Sequence, residues 1–196
     1  PQPRLTKQAC DIIRSGGVLV YPTDSGYALG CALGDKSAAD RIKAIRRLDV
    51  KHNLTLVCRD LSELSVYAKV DNSDYRLIKH YTPGPYTFIF KATSEVPRRL
   101  VHPKRRQIGI RVPDNRICQA LLEELGEPIM SATLTLPGEE FPETDPYEIR
   151  MALEHAVDLI IDGGYGVVQP TTVINMASDP IEIVRVGAGD PEPFRM

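Results

Sequence analysis

The stretch GGVLVYPTDSGYALGC, Gly16 to Cys31, runs from two glycines through an apolar segment into a cluster of Thr, Asp, Ser, Gly and Tyr. VLVYPT, rich in β-branched and aromatic residues, reads as a buried strand. The glycines before it end a helix, LTKQACDIIRS, in which Leu5, Ala9, Ile12 and Ile13 fall on one face. After the strand, the hydroxyls and glycines lie where open α/β sheets bind ligands, at a strand end with an adjustable backbone.

The same succession recurs outward from this segment. DKSAADRIKAIRRLD predicts a second helix and HNLTLVC a second strand. DLSELSVYA and NSDYRLIKHY are amphipathic enough for helices, and TPGPYTFIFKA is a turn followed by a strand of strong β-formers. Beyond them come the strand QIGIRVP, the helix NRICQALLEELG, the strand PIMSATL, a polar loop through Pro146 and the helix YEIRMALEHA. VDLIIDGG, TTVINM and IEIVRVG close the chain as strands. With no linker, repeat or low-complexity segment, residues 1–196 are expected to form one domain of mixed α/β (α+β) class, a single twisted mixed sheet packed with helices.

A chain of 196 residues, 42% of them hydrophobic, can fill one core, and its net charge of -2 argues against a globally basic nucleic-acid binder. Cys10, Cys31, Cys58 and Cys118 are far apart and form no CxxC pair, so they read as small buried residues rather than a zinc site or a disulfide framework. Nothing resembles a signal peptide, and no apolar run approaches the roughly 18 residues of a membrane span. The expectation is a soluble, cytoplasmic protein without membrane contact.

Four polar clusters sit at strand ends: PTDSGYALG (Pro22 to Gly30), TPGPYT (Thr82 to Thr87), SATLTLPG (Ser131 to Gly138) and DGGYGVVQPTT (Asp162 to Thr172). Each alone is ordinary turn chemistry; four together point to a ligand site. None is a P-loop or a GxGxxG turn, so a nucleotide would be held by backbone amides, hydroxyls and arginine forks. Arg111 lies inside the apolar strand GIRVP, where its charge demands a carboxylate or a phosphate; a structural ion pair and a ligand contact are equally open. VPRRLVHPKRRQ gathers Arg98, Arg99, Lys104, Arg105 and Arg106 around His102, either a solvated loop or a track for an RNA backbone. No GxSxG occurs, and no catalytic nucleophile stands out.

The ordered motifs, from GGVLVYPTDSGYALGC through TPGPYTFIF, IGIRVPDN, MSATLTLPG and DGG to PTTVI and IVRVG, resemble the YrdC/YciO family over nearly the whole chain. HNLTLVCRDLSELSVYA and EVPRRLVHPKRRQIGIRVP look closest to its YciO branch. The resemblance implies a YrdC-like fold with a large concave pocket for ATP and threonine, with Mg2+ and bicarbonate. It implies nucleotidyltransfer: carbamoylated threonine attacks the ATP α-phosphorus, giving threonylcarbamoyl-AMP and pyrophosphate for t6A modification of tRNA. Such chemistry rests on positioning and charge neutralisation. Carried over by motif, Thr23, Asp24, Ser25, Tyr27 and Gly30 would face threonine and the carbonate-derived group. Arg111, Ser131, Thr171, Thr172 and Val173 match further family positions, as do Arg185 and Gly187.

Departures from the pattern cluster on the same chemistry. The synthases' KGRP element aligns with Arg46, Arg47, Leu48 and Asp49, so a charge survives at Arg46 while an arginine is lost at Leu48. Losing one phosphate-facing arginine removes a charge-assisted contact worth about 2–4 kcal/mol, roughly 30-fold to 1000-fold in rate. SAN becomes Ser131, Ala132 and Thr133, and a histidine becomes Val57. The expectation is an ATP-type pocket with weak or altered synthase activity. The competing expectation is a tRNA- or double-stranded-RNA-binding protein that uses a concave surface and the Arg98 to Arg106 patch without catalysis.

Overall fold

In a computed structural model the described residues are 2–48, 53–166 and 169–195, with residue 99 described by its backbone alone. Asp49, His52, Val167 and Val168 lie outside them. Helix α1 spans Pro3–Arg14, and its chain reverses through Ser15 and Gly16, whose φ of 91° suits glycine. It buries Ala9, Cys10 and Ile13, while Leu5, expected on the same face, is 54% exposed near the helix start.

Strands β1 (Leu19–Thr23) and β2 (Gly26–Ala32) form an antiparallel hairpin in which Thr23 pairs with Gly26. The polar cluster read as a strand end is therefore a two-residue turn, Asp24–Ser25, followed by a second strand. Gly26 has φ 102°, a value a side chain would resist. Inside β2, a Cβ on Gly30 would stand 2.7 Å from both the Tyr21 ring and Ile129 Cγ2, so the glycine makes room for the tyrosine. A strand with Gly, Ala and Gly on one face carries little of the usual β signal, and this is why its pattern read as a loop.

The remaining elements are α2 (Lys36–Arg46), β3 (Thr55–Val57), α3 (Leu61–Tyr67), α4 (Asn72–Ile78), β4 (Tyr86–Lys91), β5 (Gln107–Arg111), α5 (Arg116–Leu125), β6 (Ile129–Thr133), α6 (Pro146–Leu153), β7 (Leu159–Ile160), β8 (Thr172–Asn175) and β9 (Glu182–Arg185). Each helix from α2 to α6 starts on an Asp or Asn whose carboxylate or amide oxygen accepts a first-turn N–H. The strands form one mixed sheet, ordered β7-β1-β2-β6-β3-β5-β4-β8-β9 among the described residues. The pairs β1–β7, β3–β5 and β4–β8 are parallel and the rest antiparallel.

Alternation of side chains divides this sheet into two unlike faces. One carries Val20, Tyr27, Leu29, Leu56, Phe88, Ile110, Met130 and Ile174 into the main core, with Ile42 of α2, Leu64 of α3, Ile78 of α4 and Ile149 of α6. The other face is covered by α1 and α5 only where it presents Leu19, Tyr21, Ala28, Val57 and Ile129. The rest of that second face, from Thr55 of β3 across to β9, lies outside the α1–α5 cover; it buries Arg111 and Thr87, leaves Thr55, Gly109 and Val173 half-buried and Arg185 exposed, and carries the candidate site.

Candidate ligand site on the open sheet face

Pairing fixes which side chains meet on the open face. Phe88 pairs with Ile110, which sets Thr87 beside Arg111 one position on. Thr87 pairs with Val173 and Val173 with Arg185, so Arg111, Thr87, Val173 and Arg185 make a row across four strands. One step toward the other end of β5 lies Gly109, where a Cβ would press on the methyls of Thr55 at 3.2 Å and Thr87 at 3.3 Å. The glycine keeps the middle of the face shallow between two hydroxyl-bearing residues.

Arg111 is 3% exposed, and one guanidinium nitrogen, Nη2, serves three acceptors: Ser25 Oγ at 2.7 Å, Asp24 Oδ1 at 3.2 Å and Thr23 Oγ1 at 3.3 Å. The β1–β2 turn is shaped for this. Thr23 Oγ1 donates to the Gly26 carbonyl and accepts the Ser25 N–H, and Asp24 Oδ2 accepts the Asp114 N–H at 2.7 Å. The structural ion pair left open by the sequence is therefore present with Asp24, yet Arg111 Nε is buried with no partner.

Arg185 supplies the second cation. Its Nε and Nη2 donate to the Thr171 carbonyl at 3.0 and 2.8 Å, and Nη2 reaches Thr171 Oγ1 at 3.0 Å. Thr171 Oγ1 is 2.8 Å from Thr87 Oγ1, which ties β4 into the group. Partial burial, and then the charge of Arg111, lower the proton affinity of the Arg185 guanidinium, so the two cations feel each other across the row. Asp24 is paired, among the described residues, with Arg111 alone, and both its oxygens are engaged. Among the described residues no three His, Cys, Asp or Glu side chains come together as metal donors.

The other expected residues divide. Thr133 and Arg46 lie half-buried, Arg46 Nε donating to the Thr135 carbonyl at 3.3 Å just beyond the end of β6. Ser131 is enclosed, its Oγ donating to the Leu29 carbonyl and lying 2.6 Å from the Tyr21 hydroxyl. Tyr27 is turned to the opposite face, its hydroxyl donating to the Gly164 carbonyl and accepting the Gly163 N–H. Thr172, matched with Thr171 to a family position, is spent on the Gly189 carbonyl and the Gly187 N–H. Val57 is wholly buried beside α5, so its replacement of a histidine alters the core under the site rather than an open wall. Leu48 is half-buried just past the end of α2.

Thr87 and Thr55 escaped the sequence reading as site residues. The alternation of TPGPYTFIFK placed Thr87 opposite Phe88, but only sheet register brings it to Thr171. The basic residues Arg98, Lys104, Arg105 and Arg106 are exposed in the connection from β4 to β5, and the side chain of Arg99 lies outside the described residues. They sit at the end of this hairpin away from Arg111.

A family model described as telomere recombination, Sua5/YciO/YrdC, matches residues 11–187. The chain belongs to this family. It is 61% identical over 194 residues to the YciO protein of Escherichia coli strain K12, covering 99% of this chain and 94% of that one. A protein of Haemophilus influenzae is 60% identical over 195 residues, with the same coverage. The crystal structure of E. coli YciO superposes with a TM-score of 0.96 over 100% of this chain and 95% of that chain. Sua5 of P. abyssi, in a crystal structure complexed with L-threonine, matches with a TM-score of 0.87 at 25% identity, covering 95% of this chain and 55% of that one. The expected family and its mixed single-sheet fold are thus both found.

Proposed function

We infer that the open face binds an ATP-type nucleotide together with threonine or a related amino acid, and makes threonylcarbamoyl-AMP slowly or from an altered substrate, with a link to t6A modification of tRNA. The observation that carries this reading is the pair Arg111 and Arg185, two guanidiniums in one row with one paired carboxylate and a buried Nε left over. A phosphate or carboxylate between them restores charge balance and accepts the free N–H. Thr87 and Thr171 give hydroxyls beside that anion. The L-threonine complex of the Sua5 relative supports the amino-acid half of the reading.

With no free carboxylate on the row, Mg2+ would arrive on the nucleotide and be held by its phosphates, where it neutralises charge. This chain's own residues would then orient the anions and shield them from water. Leu48 offers no charge where the synthases place an arginine, and Thr133 offers one hydroxyl where they place an amide, so the transition state gains less stabilisation.

The test is pyrophosphate release from ATP, bicarbonate, Mg2+ and a panel of amino acids, with threonylcarbamoyl-AMP followed by chromatography. The expected result is slow turnover that Arg185→Ala abolishes in a variant that circular dichroism shows to be folded. Turnover at a full, threonine-specific rate would sink the weakened-enzyme reading, and failure to bind either ATP or threonine would sink the site.

A further inference from the structure

The connection between β4 and β5, residues 92–106, is folded back on itself. Ala92 donates its N–H to the Arg106 carbonyl and Arg106 its own to the His102 carbonyl, both at 2.8 Å. His102 Nδ1 accepts the N–H groups of Lys104 at 3.2 Å and Arg105 at 3.1 Å, so the turn that carries the consecutive cations is pinned from inside. With Lys69 and Lys91, this connection walls a cavity of about 920 Å³.

Among the described residues six cations line it, Lys69, Lys91, Arg98, Lys104, Arg105 and Arg106, and no Asp or Glu does. Among the described residues none of the six forms an ion pair or donates a side-chain hydrogen bond. Like charges gathered around one cavity repel, and the repulsion is relieved when a multivalent anion enters. The volume lies within the range of small-molecule sites, and Val96, Val101 and Pro103 give it an apolar lining between the charges. Converging cations around a cup of this size fit a compact anion better than a rod-like duplex, whose phosphates are read along an extended track.

We propose that this cup is a second anion site, for a compact chain of linked phosphates of the class of inorganic tripolyphosphate or a nucleotide's triphosphate tail. It is separate from the Arg111–Arg185 row. Lys91 pairs with Gln107, and Gln107 to Arg111 spans the length of β5, about 13 Å at the usual rise per residue. The cup stands or falls independently of the synthase chemistry proposed above.

Calorimetric titration of the full chain with inorganic tripolyphosphate tests it. The wild type is expected to bind, the triple variant Lys91→Ala/Arg105→Ala/Arg106→Ala to lose about tenfold or more in affinity, and Lys7→Ala, which removes an exposed cation of α1, to keep it. Lys104→Glu, an exposed charge reversal, is expected to weaken binding as well, with circular dichroism checking that each variant is folded. The proposal is overturned if tripolyphosphate does not bind, if the triple variant binds it as the wild type does, or if Lys7→Ala weakens it equally. It is also overturned if a short RNA duplex binds through these residues while tripolyphosphate does not, for the patch is then an RNA track.

Discussion

Arg111 shows how one residue joins stability to ligand binding. Its charge is buried, so removing it leaves Asp24 uncompensated, and Arg111→Ala is expected to cost about 3–5 kcal/mol in urea unfolding. Arg111→Lys keeps the charge but loses the planar fork, and is expected to retain most of that stability while weakening anion binding. Restoring the family's lost groups probes the reaction instead. On the proposed synthase reading, Leu48→Arg with Thr133→Asn is expected to raise pyrophosphate release by about 30-fold or more, and an unchanged rate would mean that these two positions do not limit turnover. Arg111 was legible in the sequence as a charge inside an apolar strand. Its partners were not, because Asp24 and Ser25 are 87 and 86 residues away and meet it only through the hairpin turn.

Elements decide how these side chains are presented. Helix α5 begins on Asn115, whose Oδ1 accepts the N–H groups of Ile117 and Cys118, and it covers the part of the second face next to Arg111. Asn115→Ala is expected to lower stability by about 1 kcal/mol, measured as a shift in the urea midpoint at constant slope. Gly30→Ala meets Tyr21 and Ile129 and is expected to cost about 1–3 kcal/mol by overpacking. Helices and most strands were readable from periodicity and caps. The strand β2 was not, since Gly26 serves the hairpin turn and Gly30 answers to the bulk of Tyr21 on the neighbouring strand, and neither signals a strand locally. Ser131 and Tyr27 show the same limit. Each sits in a cluster that looks like a ligand wall, yet one hydroxyl lies against Tyr21 and the other is bound to backbone on the far face.

For the molecule as a whole, ligand and proton linkage give global readouts. ATP with Mg2+ and threonine, each supplied at about 100 times its Kd, is expected to add about 2.7 kcal/mol per site, a rise in Tm of about 5–10 °C. Burial pushes the Cys31 and Cys118 thiols from the ordinary 9.0 up to about 12. The folded chain therefore keeps protons that the unfolded chain releases, so the stability they contribute is whole below pH 9 and falls as pH rises toward 12. Urea midpoints across that range should decline, and less steeply in Cys31→Ala/Cys118→Ala. What the sequence by itself determined is the alternation of helices and strands, the four polar clusters and the family they spell, because periodicity, caps and turn residues act over a few neighbours. What only the tertiary structure decided is which polar groups share a face. Strand order and register join β5, β4, β8 and β9 into one row with two guanidiniums, bring the β1–β2 turn onto Arg111 and fold the basic connection into a cup, through contacts between residues far apart in the chain.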